Sequence, residues 1–342
     1  MLSCIPETSD RRSFVANGLG AAAATVLGGL PAFPQTTSAK PRRVDFHHHF
    51  LPPRHIEKIL AQRESGPPPK WSPEISLEVM DKNGIATAIV GLVQPGVWLG
   101  NVQESRDLAR YCNEYGAKMV ADHPGRFGFF AAIPLPDTEG SLREIDYALG
   151  ALKADGIGLM TEFDGKYLGD PGFMAVFEEL NRRKAIVYTH PTQPQCCMGL
   201  VPGVSVSTIE YATDTTRTIA SLVFSGTAAR FPDIRFIFSH GGGTVPFLLG
   251  RFETLAQARK MPAGAAPQLK KFYYEIAQSN HPGALDALLR LAPVSNVLFG
   301  SDYPLRPISE AVEGMSKYQF TAAQRAAIER ENAQRLLPRL KT

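Results

Sequence analysis

The sequence predicts a single (β/α)8 barrel, a TIM-type α/β fold, on three observations. Eight short apolar runs recur between residues 43 and 300, each bounded by turn residues. Most are separated by segments of helical periodicity, the alternation that gives a parallel sheet with crossover helices. A polar residue able to bind metal or move a proton follows directly on several runs, at the strand ends where such barrels carry their chemistry. A doubly wound open sheet would want a Gly-rich phosphate turn after the first strand, and none is there.

Residues 1–39 stand outside this pattern. Asp10-Arg11-Arg12-Ser13-Phe14-Val15 is a twin-arginine pattern, followed by a small-residue apolar run from Val15 to Leu30 and a polar stretch ending Thr37-Ser38-Ala39. Together these predict a Tat export signal and a periplasmic protein whose working part is residues 40–342. The apolar run is too short and too rich in Ala and Gly for a membrane span. The formal net charge of +3 on 342 residues, with no basic run interleaved with aromatics, excludes a nucleic-acid partner. After the signal, Cys112, Cys196 and Cys197 remain, an odd number without zinc-ribbon spacing. Adjacent Cys196 and Cys197 could form a strained bridge in an oxidising periplasm, with reduced loop or lining residues the preferred reading.

The first strand runs from Arg43 to Phe50, with β-branched or aromatic residues at Val44, Phe46 and Phe50. Side chains alternate across a strand, so His47 and His49 share one face and His48 takes the other. Helices follow over 55–62 and from Pro73 to the Asn83-Gly84 stop. Ala86 to Val93 reads as a buried parallel strand, Gln94 to Trp98 as its loop, and 104–121 as a helix. Strands three to five fall at 127–133, 156–161 and 185–189, the last running into His190-Pro191, with helices at 141–154 and 171–183 between them. Residues 193–206 form a long loop of the kind that covers active sites. A helix at 214–229 leads to strand six, 234–239, which ends at His240-Gly241-Gly242-Gly243. Helix 245–260, strand seven at 272–277, helix 283–291 and strand eight at 297–300 complete the pattern. Ser301-Asp302 then closes it, ahead of C-terminal helices over 321–335.

The polar residues at the strand ends are therefore His47 and His49, His190, His240 and Asp302. One buried histidine is usually a hydrogen-bonded core residue, whereas several at the same end of one barrel point to a metal. Three imidazoles and one carboxylate suit a divalent ion, with Zn2+ the first choice. A bound Zn2+ lowers the pKa of water to about 7, and a base outside the donor set would help take the proton. His240 is the candidate for that role, because the glycines behind it permit a sharp turn and close backbone approach.

Four motifs carry a resemblance. They are Asp45-Phe46-His47-His48-His49, Tyr188-Thr189-His190-Pro191, Ser239-His240-Gly241-Gly242-Gly243 and Gly300-Ser301-Asp302-Tyr303-Pro304. In this order they resemble the amidohydrolase superfamily, and within it the branch containing aminocarboxymuconate semialdehyde decarboxylase. The likeness extends to Trp71-Ser72-Pro73-Glu74, Tyr167-Leu168-Gly169-Asp170-Pro171 and the stretch from Val245 to Arg251. The resemblance implies that His47, His49, His190 and Asp302 bind the metal and that His240 is the acid/base. It also implies that Arg251 reaches a substrate carboxylate, in some relatives across a dimer interface, in a homodimer or larger homo-oligomer. Thr192 stands where semialdehyde decarboxylases carry Trp, and no Arg precedes Trp71 at their substrate-binding position. The semialdehyde is therefore not the expected substrate, and Trp98 is the candidate for an aromatic wall.

The expected function is metal-dependent, non-oxidative decarboxylation of a small aromatic or enol-type carboxylic acid, salicylates among them. The alternative is hydrolysis of a lactone, ester or amide by the same metal-bound water, with hydration a third enzymatic reading. A barrel kept as a binding protein would lack a donor or the base, and neither is missing.

Overall fold

The computed structural model describes residues 42–60 and 69–341. The segment read as an export signal lies outside these residues. Eight strands form one sheet: β1 Arg43–His49, β2 Ile85–Gly91, β3 Phe127–Ala132, β4 Gly156–Met160, β5 Ile186–His190, β6 Arg235–Phe238, β7 Tyr273–Glu275 and β8 Val297–Leu298. Every pairing is parallel and joins sequence neighbours. The sheet curls until its last strand meets its first. The Phe46 N–H donates to the Phe299 carbonyl (2.9 Å), the His49 N–H to that of Tyr303 (2.7 Å) and the Asp302 N–H to that of His47 (2.7 Å). This is the arrangement of a (β/α)8 barrel, and each strand lies within two residues of its expected bounds.

Crossover helices cover the outside: α1 Pro53–Leu60, α2 Pro73–Lys82, α3 Val102–Asp122, α4 Thr138–Gly150, α5 Met174–Arg182, α6 Val206–Phe224, α7 Val245–Ala258, α8 Pro282–Leu291 and α9 Ile308–Ser316. Their starts follow local chemistry. Ser72 caps α2 by accepting from the Ile75 N–H with Pro73 next, and Asn101 caps α3 by accepting from the Glu104 N–H. Helix α6 begins two turns before the expected Asp214, since no breaker lies between Val206 and Asp214. It ends before Ala229 because Gly226, at φ +83°, turns the chain. Helix α9 and a small hairpin pairing Glu162–Phe163 with Lys166–Tyr167 were not anticipated; the hairpin strands are too short for a periodic signal. Cys196 and Cys197, expected as thiols, are joined in a vicinal disulfide within a single 3-10 turn, Gln195–Cys197. Among the described residues no helix is long and apolar enough to cross a membrane.

The two mouths of the barrel are built differently. Inside the N-terminal half, Phe46, Ile89, Phe130, Tyr188, Ile237 and Leu298 form an apolar layer, and Ala333, Leu336 and Leu337 from the C-terminal segment pack onto it from below. A side chain such as Phe46, 1% exposed, contributes on the order of 2–3 kcal/mol by this burial. The C-terminal segment contains a π-turn, Ala327–Glu331, that directs Glu329 inward, where it pairs with Arg42 (2.9 Å) and Arg43 (3.0 Å). Among the described residues the opposite mouth has no such plug, and the polar strand ends meet there.

Candidate metal centre

Strand β1 presents His47 and His49 to the barrel axis, while His48 turns outward and its Nε2 lies 2.8 Å from the Ser76 Oγ on α2. From His47 to His49 the alternation read from sequence holds, but a register shift between Asp45 and His48 precedes it, so Phe46 also faces the interior. His190 ends β5, and Asp302 follows β8. One donor atom from each of His47, His49, His190 and Asp302 lies within 4.8 Å of the others, and all four residues are buried.

Hydrogen bonding at the far side of each ring decides what the near side offers. The His47 Nδ1 donates to the Glu275 carboxylate (2.7 Å), the His49 Nδ1 to the Gly91 carbonyl (3.1 Å) and the His190 Nδ1 to the Pro191 carbonyl (2.8 Å). Neutral imidazoles that donate at Nδ1 carry a lone pair at Nε2. The His47 and His49 Nε2 atoms nevertheless stand 3.1 Å apart, with the Asp302 Oδ1 at 3.2 and 3.1 Å from them. Lone pairs and a carboxylate oxygen do not approach this closely without positive charge between them. Two donors on one tetrahedral ion at ~2.0–2.1 Å stand about 3.3–3.4 Å apart, so the residues fit a divalent ion.

The electrostatics give the same answer. Burial alone would lower the His47 pKa, but the carboxylates of Glu275 and Asp302 outweigh it and raise the ring to about 10. Burial lowers His49, and burial with neighbouring imidazoles lowers His190 well below the usual range, so both stay neutral donors. Burial would raise the carboxyl of Asp302, but His47 and His49 hold it well below the ordinary value. The site demands a cation at one place: a proton on His47, or a metal ion.

His240 sits beside this group, its ring centroid 4.9 Å from that of His47. Its Nδ1 donates to the Ala277 carbonyl (3.0 Å), which leaves Nε2 free to accept or return a proton. The backbone here is unusual. His240 (φ +52°), Gln278 (φ +53°) and Asp302 (φ +66°) are non-glycine residues in the left-handed region, which costs about 1–2 kcal/mol each. Such strain persists only where the surroundings enforce it.

Two residues that help enforce it were not singled out from sequence. Glu275, at the end of β7 and fully buried, accepts from the His47 ring, from the His240 N–H (2.7 Å) and from the Ala277 N–H (2.6 Å). One carboxylate therefore holds both a metal-facing ring and the strained backbone of His240. Gly300 makes room for it, because a Cβ there would run into the Glu275 carboxylate. Gln278 donates to the Asp302 Oδ2 (2.5 Å), leaving Oδ1 for the other donors. The available signal was the charge in the otherwise apolar run Phe272–Ala277.

Two candidates are not brought to this group. Arg251 is exposed on α7, one turn after Phe247, which is 86% exposed. Trp98 is half-buried and packs against the main core. Its neighbour Val97, turned inward at the end of the tight turn that follows β2, lines the cleft beside His190 instead.

Fold and site together define a class: a barrel that gathers histidines and an aspartate at its strand ends to hold one divalent ion for catalysis. The chain belongs to the amidohydrolase family, which it matches over residues 44–339. A decarboxylase from Aspergillus niger, yanB, is 37% identical over 87% of this chain and 88% of its own length. The 6-methylsalicylic acid decarboxylase of Penicillium expansum is 32% identical over 87% of this chain and 97% of its own. Among solved structures, the 5-carboxyvanillate decarboxylase of Novosphingobium aromaticivorans superposes with a TM-score of 0.80, over 86% of this chain and 95% of that one. It is 21% identical, so the likeness is one of fold, and it was crystallised with manganese and a nitrobenzoic acid.

Proposed function

We propose that this chain is a metal-dependent, non-oxidative carboxy-lyase acting on salicylate-type acids, with His47, His49, His190 and Asp302 holding the metal and His240 as acid/base. The reaction class is decarboxylation of a small aromatic or enol-type carboxylic acid. The observation that carries this reading is the convergence of metal-facing donors beside an imidazole whose Nε2 alone is free. The decarboxylase relatives support it.

An ion held by His47, His49, His190 and Asp302 would supply Lewis acidity toward the substrate's oxygens. His240, protonated at Nε2, delivers that proton to the ring carbon bearing the carboxylate. The C–C bond to the carboxylate then breaks, its electron pair restores the ring's conjugation, and CO2 leaves. Glu275 keeps the His240 backbone and the His47 ring in place throughout, so the site need not reorganise as charge moves.

Zn2+ is the ion we assign, since three imidazoles and one carboxylate suit it. Arg251, exposed and flanked by Phe247, fits a residue that completes the site of a second copy in a homodimer. Residues 1–39 direct export by the Tat route to the periplasm. Trp98 is assigned to holding Val97 in position.

The deciding experiment incubates purified protein, metal-free and reloaded with zinc or manganese, with 2-hydroxybenzoates and enol acids. CO2 release with loss of the carboxylate is expected only with metal. Water uptake at a carbonyl without CO2 would instead establish the hydrolase. Sedimentation of wild type and Phe247→Asp tests the dimer, and fusion of residues 1–39 to a folded reporter tests export.

A further inference from the structure

Strands β1, β5 and β8 bring the donors to the site, and β2, β3 and β4 bring none. In that sector lies a narrow cleft that reaches His190. Its floor is the stacked pair Phe130 and Tyr188, with ring centroids 5.0 Å apart. Its walls are Leu92, Val97, Ala132, Ile133, Met160 and Phe163. Among the described residues no charged side chain lines it.

Gly91, the last residue of β2, also lines it and is buried. A Cβ built on Gly91 meets no atom within 4 Å, and its φ is ordinary. This glycine is thus not needed by its backbone or by a crowding neighbour; the missing side chain is the room in the cleft. At the adjacent wall, Gly158 on β4 pairs with Ala132 on β3, so the sector is small-sided on all three strands.

We infer that this cleft receives the hydrocarbon edge of the substrate's ring, including an alkyl substituent, and that Gly91 sets how large a substituent is accepted. The inference rests on the function proposed above and adds a substrate class to it: monocarboxylic 2-hydroxybenzoates whose remote edge is apolar. A second carboxylate turned into these walls would lose its water, and the polar group on the floor that it or a ring hydroxyl could meet is the Tyr188 hydroxyl, itself buried without a partner. A ring held at the four donors has the cleft directly beside it, because His190 belongs to both.

The test compares 2-hydroxybenzoates carrying hydrogen, methyl, ethyl or hydroxyl at ring positions 3 to 6, with metal-loaded wild type, Gly91→Ala, Gly91→Val and Ile133→Ala. Wild type is expected to prefer a methyl over the nearly isosteric hydroxyl at one position. Gly91→Ala should lower the methyl-to-hydrogen ratio of kcat/KM at that position by roughly 10-fold or more, the usual scale for one methylene in an apolar pocket. Gly91→Val should lower it further, and Ile133→Ala should move the preference toward ethyl. Metal content of each variant reports that the barrel and donors are intact. An equal ratio in wild type and both Gly91 variants, or a preference for hydroxyl, overturns the inference. If no compound releases CO2, the proposed function fails, and calorimetric affinities of the same series then read the cleft independently. There too, a methyl-to-hydrogen ratio unmoved by Gly91→Ala overturns it, and a reduced ratio sustains it.

Discussion

At the N-terminal mouth Glu329 is 1% exposed, and at the C-terminal mouth Glu275 and Asp302 are almost equally hidden, at 0% and 4%. Glu329 faces the guanidinium groups of Arg42 and Arg43. Arginine is charged at every pH a protein survives, so that pair is complete within the chain. Asp302 faces imidazoles that already donate their protons elsewhere, so it lacks a permanent counter-charge. A buried carboxylate matched by a fixed cation closes a structure, whereas one matched by a titratable imidazole leaves a place that either a proton or an ion can fill.

The contrast is broken most severely by Asp302→Ala. It is expected to lose bound metal and all measurable turnover, and retention of both by metal analysis and CO2 assay would count against the proposed donor set. His240→Ala should keep its metal and lose about 10²- to 10⁴-fold in kcat, the range for a removed acid/base; near wild-type activity would rule His240 out. Glu275→Gln keeps the shape but weakens the support of His47, and metal affinity should fall by about 10- to 100-fold, as for other residues that orient a ligand from behind. Glu275→Asp should recover part of it, with competition against a chelator as the readout. Glu329→Gln, at the other mouth, should cost about 1–3 kcal/mol in denaturant unfolding and leave metal affinity unchanged. A shift in metal affinity there would mean that the two mouths are coupled.

Proton linkage sharpens the comparison further. In metal-free protein the folded His47 value of about 10 lies above the 6.5 of a free imidazole. Its stabilising charge is therefore fully present below pH ~6.5 and lost as the pH rises toward 10. Metal-free protein should lose thermal stability across that window more steeply than metal-loaded protein. Ion binding at pH 8 should release about one proton, measurable as a buffer-dependent heat.

Sequence carried most of the barrel because parallel strands buried on both faces read as unbroken apolar runs, as in Ala88–Val90 and Phe236–Phe238. It carried the donors because histidines directly after such runs stand out. Glu275 escaped because a single glutamate in a short strand has the same local look whether it faces solvent or the axis. Which of these it does depends on Gly300 and His240, far off in the chain. The vicinal disulfide was misjudged because adjacent cysteines carry no spacing signal. Gly91 escaped because a glycine at a strand end usually marks a turn, and only the emptiness around it shows that the cleft is its purpose.

The plug beneath β1 is drawn from residues 333–337, far along the chain from the strand it supports. Until the ribosome finishes them, Val44 and Phe46 have no floor to rest on and the circle of strands stands open at its base. Completion of the barrel therefore waits on residues remote in sequence from the strands they cover, and removing residues 333–342 should leave a sticky, chaperone-dependent product rather than a slightly weaker enzyme.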